Sequence, residues 1–88
     1  MRAIRVVILT QENCAFCDAA KALFDRLAAE YRLDVSLISL GSPEGQEFAK
    51  RGQVLFPPGI FIDDEPFSYG RPSERKIRRE LARRSTMA

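Results

Sequence analysis

The chain has 88 residues, near the lower limit for a core that folds without added cross-links, so we expect one domain and exclude a second module. Hydrophobic residues make up 45% and charged residues 30%, a balance typical of a globular protein rather than a disordered or fibrous one. The formal net charge of +2 is too small to indicate nucleic-acid binding. The domain is predicted over residues 1–84, with a frayed tail over residues 85–88.

The first predicted strand is the run Val6–Leu9, whose continuous apolar character is typical of a central strand covered on both faces. The surrounding apolar stretch is short, contains Arg5 and is followed by polar residues rather than by a small-residue cleavage site. We therefore expect neither a signal peptide nor a membrane span, and a cytoplasmic location. In a reducing compartment, paired cysteines are more often catalytic or metal-binding than structural.

A helix is predicted to follow this strand, from about Cys14 to about Tyr31, because apolar residues recur there at helical spacing. Residues 33–40 mix apolar residues with serines, which favours a strand with one exposed face or edge. A strand–helix–strand unit of this kind predicts two parallel strands. Ser42 and Pro43 then have the character of an N-cap and first turn, opening a short helix that Gly52 can close.

The second half of the chain predicts a β-hairpin and a last helix. Two consecutive prolines at 57 and 58 cannot form regular structure, yet they lead into a short strand over residues 60–62. Residues 63–66 are predicted as a turn and residues 67–69 as a second strand. The last helix has Ile77 and Leu81 as its inner stripe. The order β-α-β-α-β-β-α predicts an α/β fold, with four strands in one sheet flanked by three helices.

Both cysteines of the chain lie at the start of the first helix, three residues apart. A free thiol has a pKa of about 8.5, and the positive end of a helix favours its thiolate, so Cys14 is the better nucleophile. It would attack a substrate disulfide, and Cys17, one turn further on, would resolve the mixed disulfide. Glu12 and Asp18 oppose thiolate formation by like charge, so we expect modest activation of Cys14 unless Arg71 or another cation approaches.

Other uses of the two cysteines are less favoured. The chain has no histidine, so a Cys-His hydrolase lacks its base. A closed zinc site needs about four ligands, so a metal or iron–sulfur centre would have to bridge two chains or recruit external thiols. A purely structural disulfide closing so short a loop would add little stability. Phe16, between the cysteines, either contacts a partner, which we favour, or simply covers the motif.

Three features of the sequence are shared, in the same order, with a known family. The first is the Cys14–Cys17 motif after the first strand, and the second is the proline-x-aliphatic-Phe-aliphatic segment Pro58–Ile62. The third is the Tyr-Gly-Arg-Pro stretch Tyr69–Pro72, where the last helix begins. Together they resemble a glutaredoxin, of the thioredoxin-fold superfamily, over nearly the whole chain. The resemblance implies a thioredoxin/glutaredoxin fold with a mixed sheet.

The same resemblance implies a binding wall opposite the cysteines. Pro58 would be the cis-proline that faces them, with the corner at Gly70 and Arg71 close to the same surface. Pro57 occupies the position whose backbone N–H normally pairs with the ligand, and a proline has no N–H to offer. The predicted site residues are therefore catalytic Cys14 and Cys17, with substrate contacts from Phe16, Pro57, Pro58, Gly70 and Arg71.

The sequence departs from glutaredoxins that use glutathione in two places. These proteins usually carry Lys or Arg shortly before the first cysteine, where this chain has Glu12, and only Gly70 remains of their Gly-Gly pair. The end of the hairpin instead resembles the glutaredoxin-like proteins that thioredoxin reductase recycles. We therefore expect a dithiol thiol–disulfide oxidoreductase, serving electron transport and cell redox homeostasis. It would bind no cofactor, and a thioredoxin-reductase-like flavoprotein, rather than glutathione, would reduce it.

The expected partners are a disulfide-containing protein substrate and a reductase, with no nucleic acid, no membrane and no metal, and we expect a monomer. The basic residues near the C-terminus have no interleaved aromatics and are interpreted as a solvated helix face; if they act, they would dock an acidic protein. These residues are Arg71, Arg75, Lys76, Arg78, Arg79, Arg83 and Arg84. The alternative function is a thioredoxin-fold binding module, or a metal or iron–sulfur assembly module, without turnover.

Overall fold

The computed structural model describes residues 3–86 of the chain. Within them it has three helices and four strands, in the predicted order β-α-β-α-β-β-α. The elements are β1 (Ile4–Thr10), α1 (Ala15–Leu27), β2 (Leu33–Ser39), α2 (Pro43–Gly52), β3 (Gly59–Ile62), β4 (Glu65–Tyr69) and α3 (Glu74–Ser85). None of the helices in this part of the chain is long and apolar enough to cross a membrane.

The four strands form one mixed sheet of order β2-β1-β3-β4. β1 pairs in parallel with β2 and antiparallel with β3, and β3 pairs antiparallel with β4. The predicted parallel pair is thus confirmed, with β2 at one edge and the apolar β1 inside the sheet. Leu9 of β1 lies opposite Gly59 of β3, so the carboxyl end of β1 and the start of β3 meet at one end of the sheet.

The core lies on both faces of the sheet because neighbouring side chains of a strand point to opposite sides. Ile8 packs with α1 and α3 on one face, whereas Leu9 packs with Phe61 and with Phe48 of α2 on the other. The predicted inner stripe of α3 is confirmed, since Ile77 and Leu81 are fully buried.

α1 is about one turn shorter than its apolar periodicity predicts. The helix ends at Leu27, and Tyr31 lies in the turn that follows, where its N–H donates to the Leu27 carbonyl at 2.9 Å. Tyr31 nevertheless packs against the same core cluster as α1. Tyr31 therefore follows the helical spacing because its side chain packs against the same core as α1, although it lies outside the helix.

The hairpin turn is also shorter than predicted. Asp63 and Asp64 have φ values of 50° and 67°, and β4 begins directly afterwards at Glu65. A two-residue turn with positive φ at both positions matches the twist of paired strands. Pro66, predicted to belong to the turn, lies within β4; a proline is tolerated there because β4 is an edge strand with an irregular register.

Gly52 was predicted to end α2, but the structure gives it a packing role instead. α2 includes Gly52, and the residue that caps it in a left-handed conformation is Gln53, with φ of 53°. A Cβ atom on Gly52 would lie 2.6 Å from the Phe61 ring. Glycine at this position therefore allows α2 to approach the sheet closely.

α3 is attached to the rest of the fold by ion pairs, so its basic side chains are not all solvated. Arg78 bonds to Glu30 and Glu74 at 2.9 Å each. The Arg84 side chain is only 13% exposed and bonds to Glu80 at 2.6 Å and to Asp63 at 3.4 Å.

The expected solvated face is correct for the exposed side chains of Arg75, Lys76 and Arg79, and wrong for Arg84. Burial disfavours the charge of Arg84, but its hydrogen bonds to carboxylates outweigh this and raise its pKa. The helix ends at Ser85, with Thr86 as its cap. Of the predicted tail, residues 87 and 88 lie outside the described part.

Candidate active site

The first cysteine lies at the start of α1 because of a short turn after β1. Asn13 has a φ of 54°, in the left-handed region that asparagine tolerates better than most residues. Cys14 then takes the N-cap position in an extended conformation, with φ of −120° and ψ of 103°. Its Sγ accepts a hydrogen bond of 3.1 Å from the Cys17 N–H, where a cap usually offers an oxygen. The sulfur thus faces the positive end of α1.

The two cysteines form a disulfide and differ in exposure. Their Cα atoms are 5.2 Å apart, within the usual range for a disulfide. Cys17 is completely buried, at 0% exposure, whereas Cys14 is partly exposed. An incoming thiolate or disulfide therefore has access to the sulfur of Cys14 and not to that of Cys17. This order of exposure agrees with the roles predicted for the two residues, which stay predictions.

The charged side chains that could act on the cysteine pair include Asp18, which follows Cys17, and Arg71. Asp18 forms a long ion pair of 3.8 Å with Lys21, which offsets part of its negative charge. Arg71 is exposed, and no hydrogen bond or ion pair joins it to Cys14 within residues 3–86. The hydrogen bond at Cys14 Sγ comes from backbone rather than from a cation. The modest activation expected for Cys14 stays a prediction.

The predicted wall is built where β3 begins and β4 ends. The Pro57–Pro58 peptide bond is cis, as the resemblance implied. Pro58 is buried, and its carbonyl oxygen accepts a hydrogen bond of 2.8 Å from the N–H of Gly70. Because Leu9 and Gly59 are paired, this wall lies at the same end of the sheet as the turn that leads to the cysteines. Pro57 is partly exposed beside it.

An exposed apolar rim, which we define as Leu55, Phe56 and Tyr69, adjoins this wall along the chain, since residues 55 and 56 precede the two prolines and Tyr69 precedes Gly70. Leu55 is 76% exposed, and the rings of Phe56 and Tyr69 meet edge to face at 5.1 Å between centroids. Phe16, also an exposed aromatic, projects from the first turn of α1. Exposed apolar groups gathered in one place are typical of a binding surface.

None of the three rim residues was predicted as a site residue. The available signal was that Leu55 and Phe56 precede two prolines, which prevent the segment from forming a buried strand. Gly70 adopts a φ of 80°, and a Cβ atom there would lie 2.5 Å from the Phe56 ring. Gly70 thus provides both a backbone conformation and the space that Phe56 occupies.

A mixed sheet of this order, covered by helices on both faces and carrying a Cys-x-x-Cys pair at the first helix, is the thioredoxin fold with a redox-capable site. The chain belongs to the thioredoxin-domain family, whose model, described as "Thioredoxin domain", matches residues 2–82. No curated protein matches the chain significantly. The fold and the close cysteine pair support a thiol–disulfide oxidoreductase in general.

The chain is similar to a number of solved structures, three of which show the range of the likeness. A Staphylococcus aureus protein of unknown function, SA0789, has 18% identity and a TM-score of 0.67, with 98% of this chain and 94% of that one covered. A mutant thioredoxin from Halobacterium salinarum NRC-1 has 18% identity and a TM-score of 0.69, with coverage of 96% and 76%. Both show the fold alone.

The third structure is glutaredoxin 1 from Francisella tularensis in complex with cacodylate. It has 25% identity and a TM-score of 0.52, with 92% of this chain and 95% of that one covered. Together with the family match, it confirms that the chain is a glutaredoxin-like protein of the thioredoxin fold.

Proposed function

We propose that the protein is a dithiol electron donor that reduces disulfides of protein substrates. The observation that carries this proposal is the unequal exposure of two cysteines already within bonding distance. Cys14 is accessible at the helix start, and Cys17 is buried behind it. This difference supports Cys14 as the sulfur that meets the substrate and Cys17 as the sulfur that completes the exchange.

The reaction needs no group beyond the two thiols. In the reduced protein, the Cys14 thiolate attacks one sulfur of the substrate disulfide, the substrate S–S bond breaks, and the other substrate sulfur leaves and takes up a proton. Cys17 then gives up its proton and attacks Cys14 Sγ, which releases the second substrate thiol and forms the Cys14–Cys17 disulfide. Two electrons pass from the cysteine pair to the substrate. The Cys17 N–H that bonds Cys14 Sγ stabilises negative charge on that sulfur.

The surroundings of the pair favour a protein substrate over a small charged one. The apolar rim offers exposed surface to side chains that flank a substrate cysteine. Pro57 has no N–H, so main-chain pairing at this position is limited to its carbonyl group. Phe16 would add a further aromatic contact from the side of α1.

A thioredoxin-reductase-like flavoprotein is the proposed electron source. The support is that Glu12 stands where a cation would hold a glutathione carboxylate, and that no hydrogen bond or ion pair joins Arg71 to the cysteines among residues 3–86. Glutathione would therefore lose one of its expected charge contacts. The recipients of the electrons would be the disulfides of partner proteins.

The test is a disulfide-reduction assay on the wild type and two single variants. Cys14→Ser should abolish reduction, because the attacking sulfur is lost. Cys17→Ser should instead accumulate a mixed disulfide with the substrate, visible by mass spectrometry, because nothing resolves it. If the wild type turned over no faster than either variant, the protein would be a binding module rather than a reductase.

A further inference from the structure

The outer edge of β4 is available to another strand. β4 is last in the sheet order, and within residues 3–86 it pairs with β3 alone. The Gly70 N–H bonds to Pro58, and antiparallel pairs alternate, so Ser68 and Ile60 form the next hydrogen-bonded pair. The N–H and C=O of Tyr69, between them, therefore point away from β3. Free main-chain groups of this kind can accept an added strand.

Two clefts flank this edge, one on each face of the sheet. On the α2 face, a cleft of about 250 Å³ is lined mainly by apolar side chains, including Val54, Phe61 and Pro66. Phe67 and Ser68 of β4 line both clefts. The second cleft, of about 320 Å³, is completed by Lys76, Arg79 and Glu80 of α3. Because successive side chains of a strand point to opposite faces, an added strand would direct alternate side chains into the two clefts.

The cleft on the α3 face carries uncompensated positive charge. The side chains of Lys76 and Arg79 are exposed and have no hydrogen bond or ion pair within the described part of the chain. Glu80, the acid of this cleft, is already bonded to Arg83 and Arg84. The cleft therefore favours acidic side chains, whereas no charged residue lines its counterpart across the sheet among the described residues.

We propose that β4 docks an extended acidic segment of a partner protein, in which acidic and apolar side chains alternate. The segment would add to the sheet as a fifth strand, with its acidic side chains beside Lys76 and Arg79. A nucleic acid fits less well, because Phe67 is half-buried and is the single aromatic side chain among the described residues that line this cleft. The docking does not depend on the redox function, since neither cysteine takes part in it.

The experiment is an NMR titration of the ¹⁵N-labelled oxidised protein with a capped hexapeptide of alternating glutamate and valine. We expect saturable shifts at the amides of Phe67, Ser68 and Tyr69 and in the first turns of α3. A peptide of the same composition with its glutamates and valines in separate blocks should bind more weakly. In an added strand, every second peptide amide points toward β4 and the others point to solvent. N-methylation of the amides that point toward β4 should therefore abolish binding, and N-methylation of the other set should not.

Charge variants of α3 complete the test. Lys76→Glu should weaken peptide binding about fivefold. Arg75→Glu makes the same change of charge on the neighbouring residue, which does not line the cleft, and should weaken it much less. An equal loss in both variants would overturn the proposal, because long-range attraction alone would explain it. So would equal affinity for the block peptide, the absence of saturable shifts in β4, or tighter binding of a thymidine oligonucleotide to the same residues.

Discussion

The backbone N–H of Gly70 donates a 2.8 Å hydrogen bond to the carbonyl oxygen of Pro58. Both residues are buried, and the bond joins the start of β3 to the end of β4 at the end of the sheet that carries the cysteine pair. The aromatic ring of Phe56 packs where a side chain on Gly70 would lie. The packing of the wall therefore depends on glycine at position 70, because the Phe56 ring occupies the space that a side chain there would need.

Substitution of Gly70 by alanine should lower stability and disturb the rim. The φ of 80° disfavours an L-residue by about 1–2 kcal/mol, and the new Cβ atom would displace Phe56. We expect Gly70→Ala to lower the free energy of unfolding by at least that amount, measured by urea denaturation. Gly41→Ala is the matched control, because the nearest atom to its Cβ is 3.9 Å away. Equal stability of the two variants would refute the role assigned to Gly70.

Removal of the Phe56 ring should affect protein substrates more than small ones. The Phe56 ring is 51% exposed, and loss of an aromatic contact to a partner commonly costs about 1 kcal/mol, so Phe56→Ala should raise the KM for a protein disulfide about fivefold. Hydroxyethyl disulfide, too small to span the rim, should be reduced at the wild-type rate. Leu37→Ala is the control, since Leu37 is equally exposed but lies on β2 at the opposite edge of the sheet. If Phe56→Ala slowed the reduction of hydroxyethyl disulfide as much as that of the protein disulfide, the effect would lie at the cysteines and not at the rim.

Replacement of Glu12, the acidic residue before the Cys14–Cys17 motif, by lysine should increase the use of glutathione as electron source. With NADPH, the wild type should be reduced faster by thioredoxin reductase than by glutathione and glutathione reductase. Glu12→Lys should raise the rate with glutathione about threefold, because a cation can hold a glutathione carboxylate. Asp34→Lys makes the same change of charge on β2 and should leave this rate unaltered. Rapid turnover of the wild type with glutathione would contradict the proposed electron source.

Stability should fall in acid as the ion pairs of α3 are lost. The hydrogen bond from Arg78 lowers the pKa of both Glu30 and Glu74 from 4.5. A lowered pKa in the folded state gives stability that is present above about pH 4.5 and lost as the pH falls through the folded value. The Tm should therefore decrease below that pH.

The same linkage gives a test by substitution. Arg78→Gln should have a lower Tm than the wild type at pH 7 and a smaller difference at pH 3, because protonated carboxyls no longer attract the arginine. Arg75→Gln, whose side chain has no ion pair within residues 3–86, should follow the wild-type curve. A constant difference between Arg78→Gln and the wild type over this pH range would count against the assignment.

Local patterns in the sequence were sufficient to predict the order of the elements and the close cysteine pair. The apolar run of β1, the helical spacing of α1 and the Ser42 cap of α2 each depend on neighbouring residues, and all were confirmed. The boundaries were less accurate where a residue serves a distant contact. Tyr31 follows the helical period because it packs on the core, and Pro66 enters β4 because that strand has a free edge.

The sequence by itself determined which residues can do redox chemistry, because two cysteines with this spacing at a helix start need nothing remote to form their disulfide. Only the tertiary structure decided the surroundings of that pair. It brought Gly70 to Pro58, exposed Phe56 on the rim, placed the partly buried Arg84 among carboxylates and left Arg79 without a partner among the described residues. These arrangements join residues far apart in the chain, and packing rather than local periodicity selects them.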